Sequence, residues 1–217
     1  MKNFLKKYYI IIIILFIFIL VPIIRKTISL RNQTLSENKI LQHSAPLDPA
    51  TLKAYKERLE ILKRNFNYDY DEFEKDGLYI HKNQTTDNSY NRNYLSVTVG
   101  SDGNLCLESN YFGEDWIFHT RVQVKIGDTV YETENISISD PNNLENNGSG
   151  SVWEKILYTN GRDNGIIKAI AESGDAIIKV RFTGGSGLKD ITLSKKDQQA
   201  IKDSYEIADL IRKVGNN

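Results

Sequence analysis

The sequence predicts an α+β fold in which a single N-terminal transmembrane helix is followed by an antiparallel β-sheet domain with packed helices. Three observations predict it. Residues 94–158 alternate apolar and polar side chains with period two, broken by tight-turn signals. Helical spacing of three and four recurs before that region and after it. Residues 8–24 form an uncharged apolar run.

That run is 17 residues long, and its centre, residues 10–20, contains only Ile, Leu and Phe. As a helix it spans roughly 25 Å, close to the hydrocarbon thickness of a bilayer. Tyr8 and Tyr9 stand where an interfacial aromatic belt would stand. Lys2, Lys6 and Lys7 precede the run, and Arg25, Lys26 and Arg31 follow it. Cations on both sides suit a membrane segment in contact with lipid through residues 8–24.

A cleaved signal peptide is the competing reading, but no small-residue A-x-A pattern follows the apolar core. Ile23 and Ile24 run directly into Arg25 and Lys26, which resembles a stop. The one cysteine, Cys106, lies far from the N-terminus, so no lipobox exists. The flanking charges nearly balance and leave orientation open. The short N-terminal tail favours an extracytoplasmic domain. The expected organisation is an anchor over 1–31, a polar stalk over 32–49 and an α+β domain over 50–217.

Of the 28 basic residues, six fall in residues 1–31, which hold no acidic one. The remainder therefore carries 22 basic against 28 acidic side chains. That balance speaks against a nucleic-acid partner, which requires a basic face for phosphates. One cysteine permits no internal disulfide. The N-x-S/T triplets at Asn32, Asn83, Asn135 and Asn147 are read as chance products of an asparagine-rich chain.

Within the domain, Leu52, Tyr55, Leu59, Leu62 and Phe66 make one apolar stripe on a helix over 50–66, read as packing on the domain. Strands follow over 94–100 and from Leu105 to Tyr111, joined by a turn at Ser101-Asp102-Gly103-Asn104. A strand over 116–126 places Trp116, Phe118, Val122, Val124 and Ile126 on one face, with His119, Arg121, Gln123 and Lys125 on the other. Gly127-Asp128 closes a hairpin into 129–134. Residues 140–150 read as a long Asn/Gly loop, and 151–158 as another strand. A short buried helix over 164–172 stops at Gly174. A strand over 176–182 turns at Gly184-Gly185-Ser186-Gly187 into one ending at Leu193. The last helix opens with Ser194 as N-cap and Asp197 at N3, and buries Ile201, Tyr205, Ala208 and Ile211.

Several runs resemble a known pattern: Tyr111-Phe112-Gly113-Glu114-Asp115-Trp116-Ile117-Phe118, then Val152-Trp153-Glu154, then Ala176-Ile177-Ile178-Lys179-Val180-Arg181-Phe182, and Ile191-Thr192-Leu193-Ser194 before a Lys-rich helix. In this order and spacing they resemble an uncharacterised bacterial domain of exported or membrane-anchored envelope proteins. The resemblance covers about residues 66–212. It implies a bacterial envelope setting and brings no activity with it. Where that family tends to an aromatic-rich turn, residues 183–189 here carry glycines.

Site chemistry is sparse. The acidic run Asp69, Asp71, Glu72, Glu74, Asp76 fails as a calcium loop, because Phe73 and Glu74 occupy its fifth and sixth positions. Gly184 to Gly187 lacks the Lys-Ser/Thr of a phosphate cradle. His43, His81 and His119 have no zinc-like spacing, and nothing beside Cys106 would activate its thiol. Trp116, Trp153 and Tyr111 read as core rather than as an aromatic platform. Arg181 reads as a salt-bridge residue facing Glu108 or Glu154.

No catalytic, cofactor-binding or metal residue is assigned, and no cofactor is expected. His119, Arg121, Arg181 and Trp153 form the proposed binding surface. The expected function is a non-enzymatic interaction module of the cell envelope, binding a protein or polymer; oligomeric state is left open. An enzyme whose site is assembled only in three dimensions, and a spacer self-associating through 50–66, remain alternatives.

Overall fold

The computed structural model describes residues 47–84, 91–148 and 150–216. The expected anchor and nearly all of the stalk lie outside them. Among the described residues no helix is long and apolar enough to cross a membrane. Residues from Asp48 onward form one compact unit, an α+β domain with antiparallel sheets.

Helix α1, Pro49–Lys63, begins where the sequence favours it. The Asp48 carboxylate accepts the N–H groups of Ala50 and Thr51 at 3.0 Å, and Pro49 sits where no donor is needed. The helix ends at Lys63 rather than at the expected Phe66, because Phe66 already opens β1, Phe66–Asp71. Its stripe is consumed within the domain: Leu59 and Leu62 are buried, and α1 packs on the last helix, α3, Lys195–Gly215. Each such leucine contributes about 2 kcal/mol of burial.

Two antiparallel sheets replace the single one expected. The larger has the order β1-β2-β3-β4-β8-β7, with β2 Asp76–His81, β3 Tyr94–Gly100, β4 Leu105–Gly113, β7 Asn143–Gly148 and β8 Ser151–Tyr158. The smaller has the order β10-β9-β5-β6, with β5 His119–Ile126, β6 Thr129–Glu132, β9 Ile178–Gly184 and β10 Leu188–Thr192. The hairpin β1–β2 escapes a pattern search because it sits at the sheet edge, where only Phe66 of β1 is buried. Strand β7 corrects the expected loop at 140–150: Asn143 to Gly148 pair residue by residue with Ile156 to Ser151.

One face of the larger sheet carries Leu95, Val97, Val99, Leu107, Tyr111, Val152, Ile156 and Tyr158, all buried. Helix α3 covers it along β3, where the Ser204 hydroxyl donates to the Val97 carbonyl. At the β8 side the smaller sheet covers it with Val122, Val124, Ile178, Val180 and Phe182. Helix α2, Ile166–Ala171, packs on α3 and contributes Ile166, Ile167 and Ile170 to the same core. The N-cap of α3 forms as expected: the Ser194 hydroxyl accepts the Asp197 N–H at 3.1 Å and donates to its carboxylate at 2.7 Å.

Candidate functional site

The strand expected over 116–126 begins only at His119. Phe118 adopts φ 50, rare for a bulky residue, and the ladder is bulged between His119 and Arg121. The cause lies on β8. The Glu154 carboxylate accepts the N–H groups of Ile117 at 2.7 Å, Phe118 at 3.1 Å and His119 at 2.5 Å. Those three donors are thereby removed from any ladder, and the chain turns from the larger sheet into the smaller one.

The bulge inverts the facing of His119. Instead of lying on a solvated face beside Arg121, it is 0% exposed. Its Nε2 is 2.8 Å from the Ser109 hydroxyl, and its Nδ1 is 3.4 Å from Glu154 Oε2. A carboxylate can only accept, so Nδ1 is assigned the proton and Nε2 accepts from Ser109. Ser109, His119 and Glu154 thus reproduce the order of a hydrolytic triad.

The surroundings forbid that chemistry. Ser109 is also 0% exposed, and Glu154 1%. The rings of Tyr111 and Phe182 lie 6.4 Å and 5.8 Å from the imidazole. Ser109 stands in mid-strand between β3 and β8, where the backbone donors that would hold an oxyanion are tied into ladders. Burial pushes the Glu154 carboxyl up, but the His119 side chain and the backbone N–H groups of His119 and Ile117 outweigh it, so its pKa lies below the ordinary 4.5. An ionised, multiply hydrogen-bonded carboxylate is a clamp rather than a proton shuttle.

The motif runs meet at this clamp. The Tyr111 hydroxyl donates to the Asp115 carbonyl at 2.9 Å, Glu154 holds 117–119, and Gly184 lies against the carbonyls of Ile117 and Phe118. A Cβ at Gly184 would overlap both oxygens, and the N–H groups of Ser186 and Gly185 donate to them. Of the glycines in 183–189, Gly184 is therefore required by close backbone approach.

The proposed surface residues divide among three places. Arg121 and Arg181 share the outer face of the smaller sheet, Trp153 is half-buried against Phe112 in the larger sheet, and His119 is in the core. Arg181 does not pair with Glu108 or Glu154; it grips Asp190 with two hydrogen bonds of 2.6 and 2.7 Å. Glu108 instead receives Lys155 at 3.1 Å. Trp116 is partly buried against the core and stacks on Phe118 at 6.0 Å.

The outer face of the smaller sheet is an open concave surface that carries charged side chains. A groove of about 430 Å³ is lined by residues including Gln123, Lys125, Val130, Lys179, Arg181 and Thr192. Register orders them in rows across the strands. In one row Arg181 pairs with Asp190, while Gln123 donates to Glu132 at 2.6 Å and Arg121 meets the same carboxylate at 3.3 Å. In the next, Thr192, Lys179, Lys125 and Val130 put two lysines directly opposite each other. Among the described residues neither lysine side chain makes a hydrogen bond or a close ion pair, although the charge of Lys179 is felt by Asp190. Directly opposed like charges destabilise a sheet. Alternation along each strand marks these lysines as solvated, but only the β5–β9 pairing reveals that they adjoin.

Burial, aided by the neighbouring Glu108 charge, pushes the Cys106 thiol up to about 12. His81 donates to Asp203 at 3.1 Å while its Nδ1 accepts the Asn83 N–H, so it ties β2 to α3. Among the described residues no group of three or more His, Cys, Asp or Glu side chains is arranged to hold a metal ion. Comparison with protein-family models, with curated proteins and with solved structures yields no significant match.

Proposed function

We propose that this chain is a membrane-anchored module of the cell envelope whose extracytoplasmic domain acts by binding, not by catalysis, and presents the outer face of its smaller sheet to a partner. The carrying observation is the Lys125–Lys179 pair in the groove. Two opposed cations cost folding energy wherever nothing neutralises them, and a bound acidic group would remove that cost. The anchor rests on the apolar run of residues 8–24 and its flanking cations. A catalytic reading gains geometry from Ser109, His119 and Glu154 but has no route by which substrate could reach them. Self-association through α1 loses its apolar stripe to α3.

In-cell crosslinking from the groove tests the binding reading. A photoreactive residue at the exposed groove position Thr192 should yield a discrete adduct that disappears in K125E/K179E. Equal adducts from both chains would sink it. Protease added to intact, wall-stripped cells tests the topology and should degrade the domain; protection there, with degradation after lysis, would place it inside.

A further inference from the structure

The β1–β2 hairpin presents the charge complement of the groove. Its turn holds Phe73, which is 97% exposed, and Leu78 is exposed on the adjacent strand. Around them stand Asp69, Asp71, Glu72, Glu74 and Asp76 against the single cation Lys75. Asp71 lies directly opposite Asp76 in the strand register, as Lys125 lies opposite Lys179. Asp69, Asp71, Asp76 and Leu78 share one face of the hairpin. An acidic cross-strand pair on the hairpin thus matches a basic one in the groove, the acidic one held in place by N–H groups of Phe73 and Glu74 on Asp71 and by Ser101 and Gly77 on Asp76. Beside the lysines the groove offers exposed Val130 as an apolar contact for the hairpin tip.

The two surfaces cannot meet within one molecule. Strands β1 and β2 form one edge of the larger sheet, whereas the smaller sheet packs near β8, toward the opposite edge, and turns the groove outward. We infer that the acidic β1–β2 hairpin of one copy docks by its Phe73 tip into the Lys125–Lys179 groove of a second copy of this chain. This inference rests on the reading of the groove as the binding surface and names its occupant. The contact is heterologous, joining different patches on the two copies, so it propagates head to tail into a ring or an open chain. Being charge-led, it weakens as salt rises.

Sedimentation velocity of the full chain in non-ionic detergent, across protein concentration and at low and high salt, tests it. The wild-type chain is expected to self-associate beyond its anchor, with affinity falling as salt rises. Among the described residues the Asp69 and Glu72 side chains make no hydrogen bond or ion pair, so D69K/E72K alters the hairpin without unbuttoning its ladder. D69K/E72K, F73A and K125E/K179E should each weaken association at least about tenfold. Mixing D69K/E72K with K125E/K179E should restore a mixed complex, since the swapped charges are complementary again. A wild-type chain that stays monomeric, or a K125E/K179E chain that associates like wild type, overturns the inference. The two readings separate cleanly. A monomeric chain that still gives a K125E/K179E-sensitive adduct from Thr192 loses the self-docking inference and keeps the binding surface; insensitivity of both measurements removes both.

Discussion

Glu154 on β8 holds the N–H of His119 at 2.5 Å, and with it the point where the chain leaves one sheet for the other. The same carboxylate lies 3.4 Å from the imidazole Nδ1, so one buried side chain sets the backbone path and faces the ring. A residue in that position stabilises by hydrogen bonds to a charge, which are stronger than neutral ones.

Replacing it by glutamine leaves at least one of the three N–H groups facing a donor. E154Q is expected to lose about 3 kcal/mol of stability, measured by denaturant unfolding. A loss below about 0.5 kcal/mol would show that the clamp carries little of the fold.

The acid limb follows from the same group and from Asp203. Burial raises the Asp203 carboxyl, but hydrogen bonds from His81, Gln199 and Asn65 bring it below the ordinary 3.8. For groups whose folded pKa is depressed, the stabilisation is present above the unfolded value and is lost as pH falls through the folded one. The domain should therefore hold its stability above about pH 4.5 and lose it on further acidification. In E154Q the slope of stability against pH below that point should be shallower than in the wild type; equal slopes would remove Glu154 from the account.

Much of the fold is legible in the sequence, and the illegible parts have identifiable causes. Strands β3 and β8, the Gly127-Asp128 turn and the Ser194 cap follow from alternation, turn chemistry and capping, which are local. The start of β5 is not local, because Glu154, 35 residues from His119, decides it. Alternation alone therefore places His119 on the solvated face, whereas it is buried. Edge strand β1 buries only Phe66 and so shows no period, and the lysine pair emerges only once β5 is laid against β9.

Gly184 and Gly185 adjoin yet should respond oppositely to the same change. A methyl at Gly184 meets the carbonyls of Ile117 and Phe118, backbone that cannot step aside, whereas Gly185 has nothing within 4 Å. G184A is expected to cost about 3 kcal/mol and G185A less than about 0.5, by the same unfolding assay. Similar costs for the two would show that the 117–118 segment yields easily.

The half-buried thiol of Cys106 and the buried hydroxyl of Ser109 should be silent in the folded chain. With the Cys106 thiol held at about 12, alkylation at pH 8 should proceed only after denaturation. A serine-directed phosphonate should likewise leave Ser109 unmodified. Labelling of Ser109 in the native protein would reveal access that the packing of Tyr111 and Phe182 denies.

The central claim is that the domain works through its groove and not through the sealed Ser109–His119–Glu154 constellation. The most direct measurement is photocrosslinking in cells from Thr192, with K125E/K179E and S109A introduced in turn. The account requires a discrete adduct that S109A leaves intact and K125E/K179E abolishes. An adduct lost with S109A in a folded chain and unchanged by the lysine reversals would contradict it.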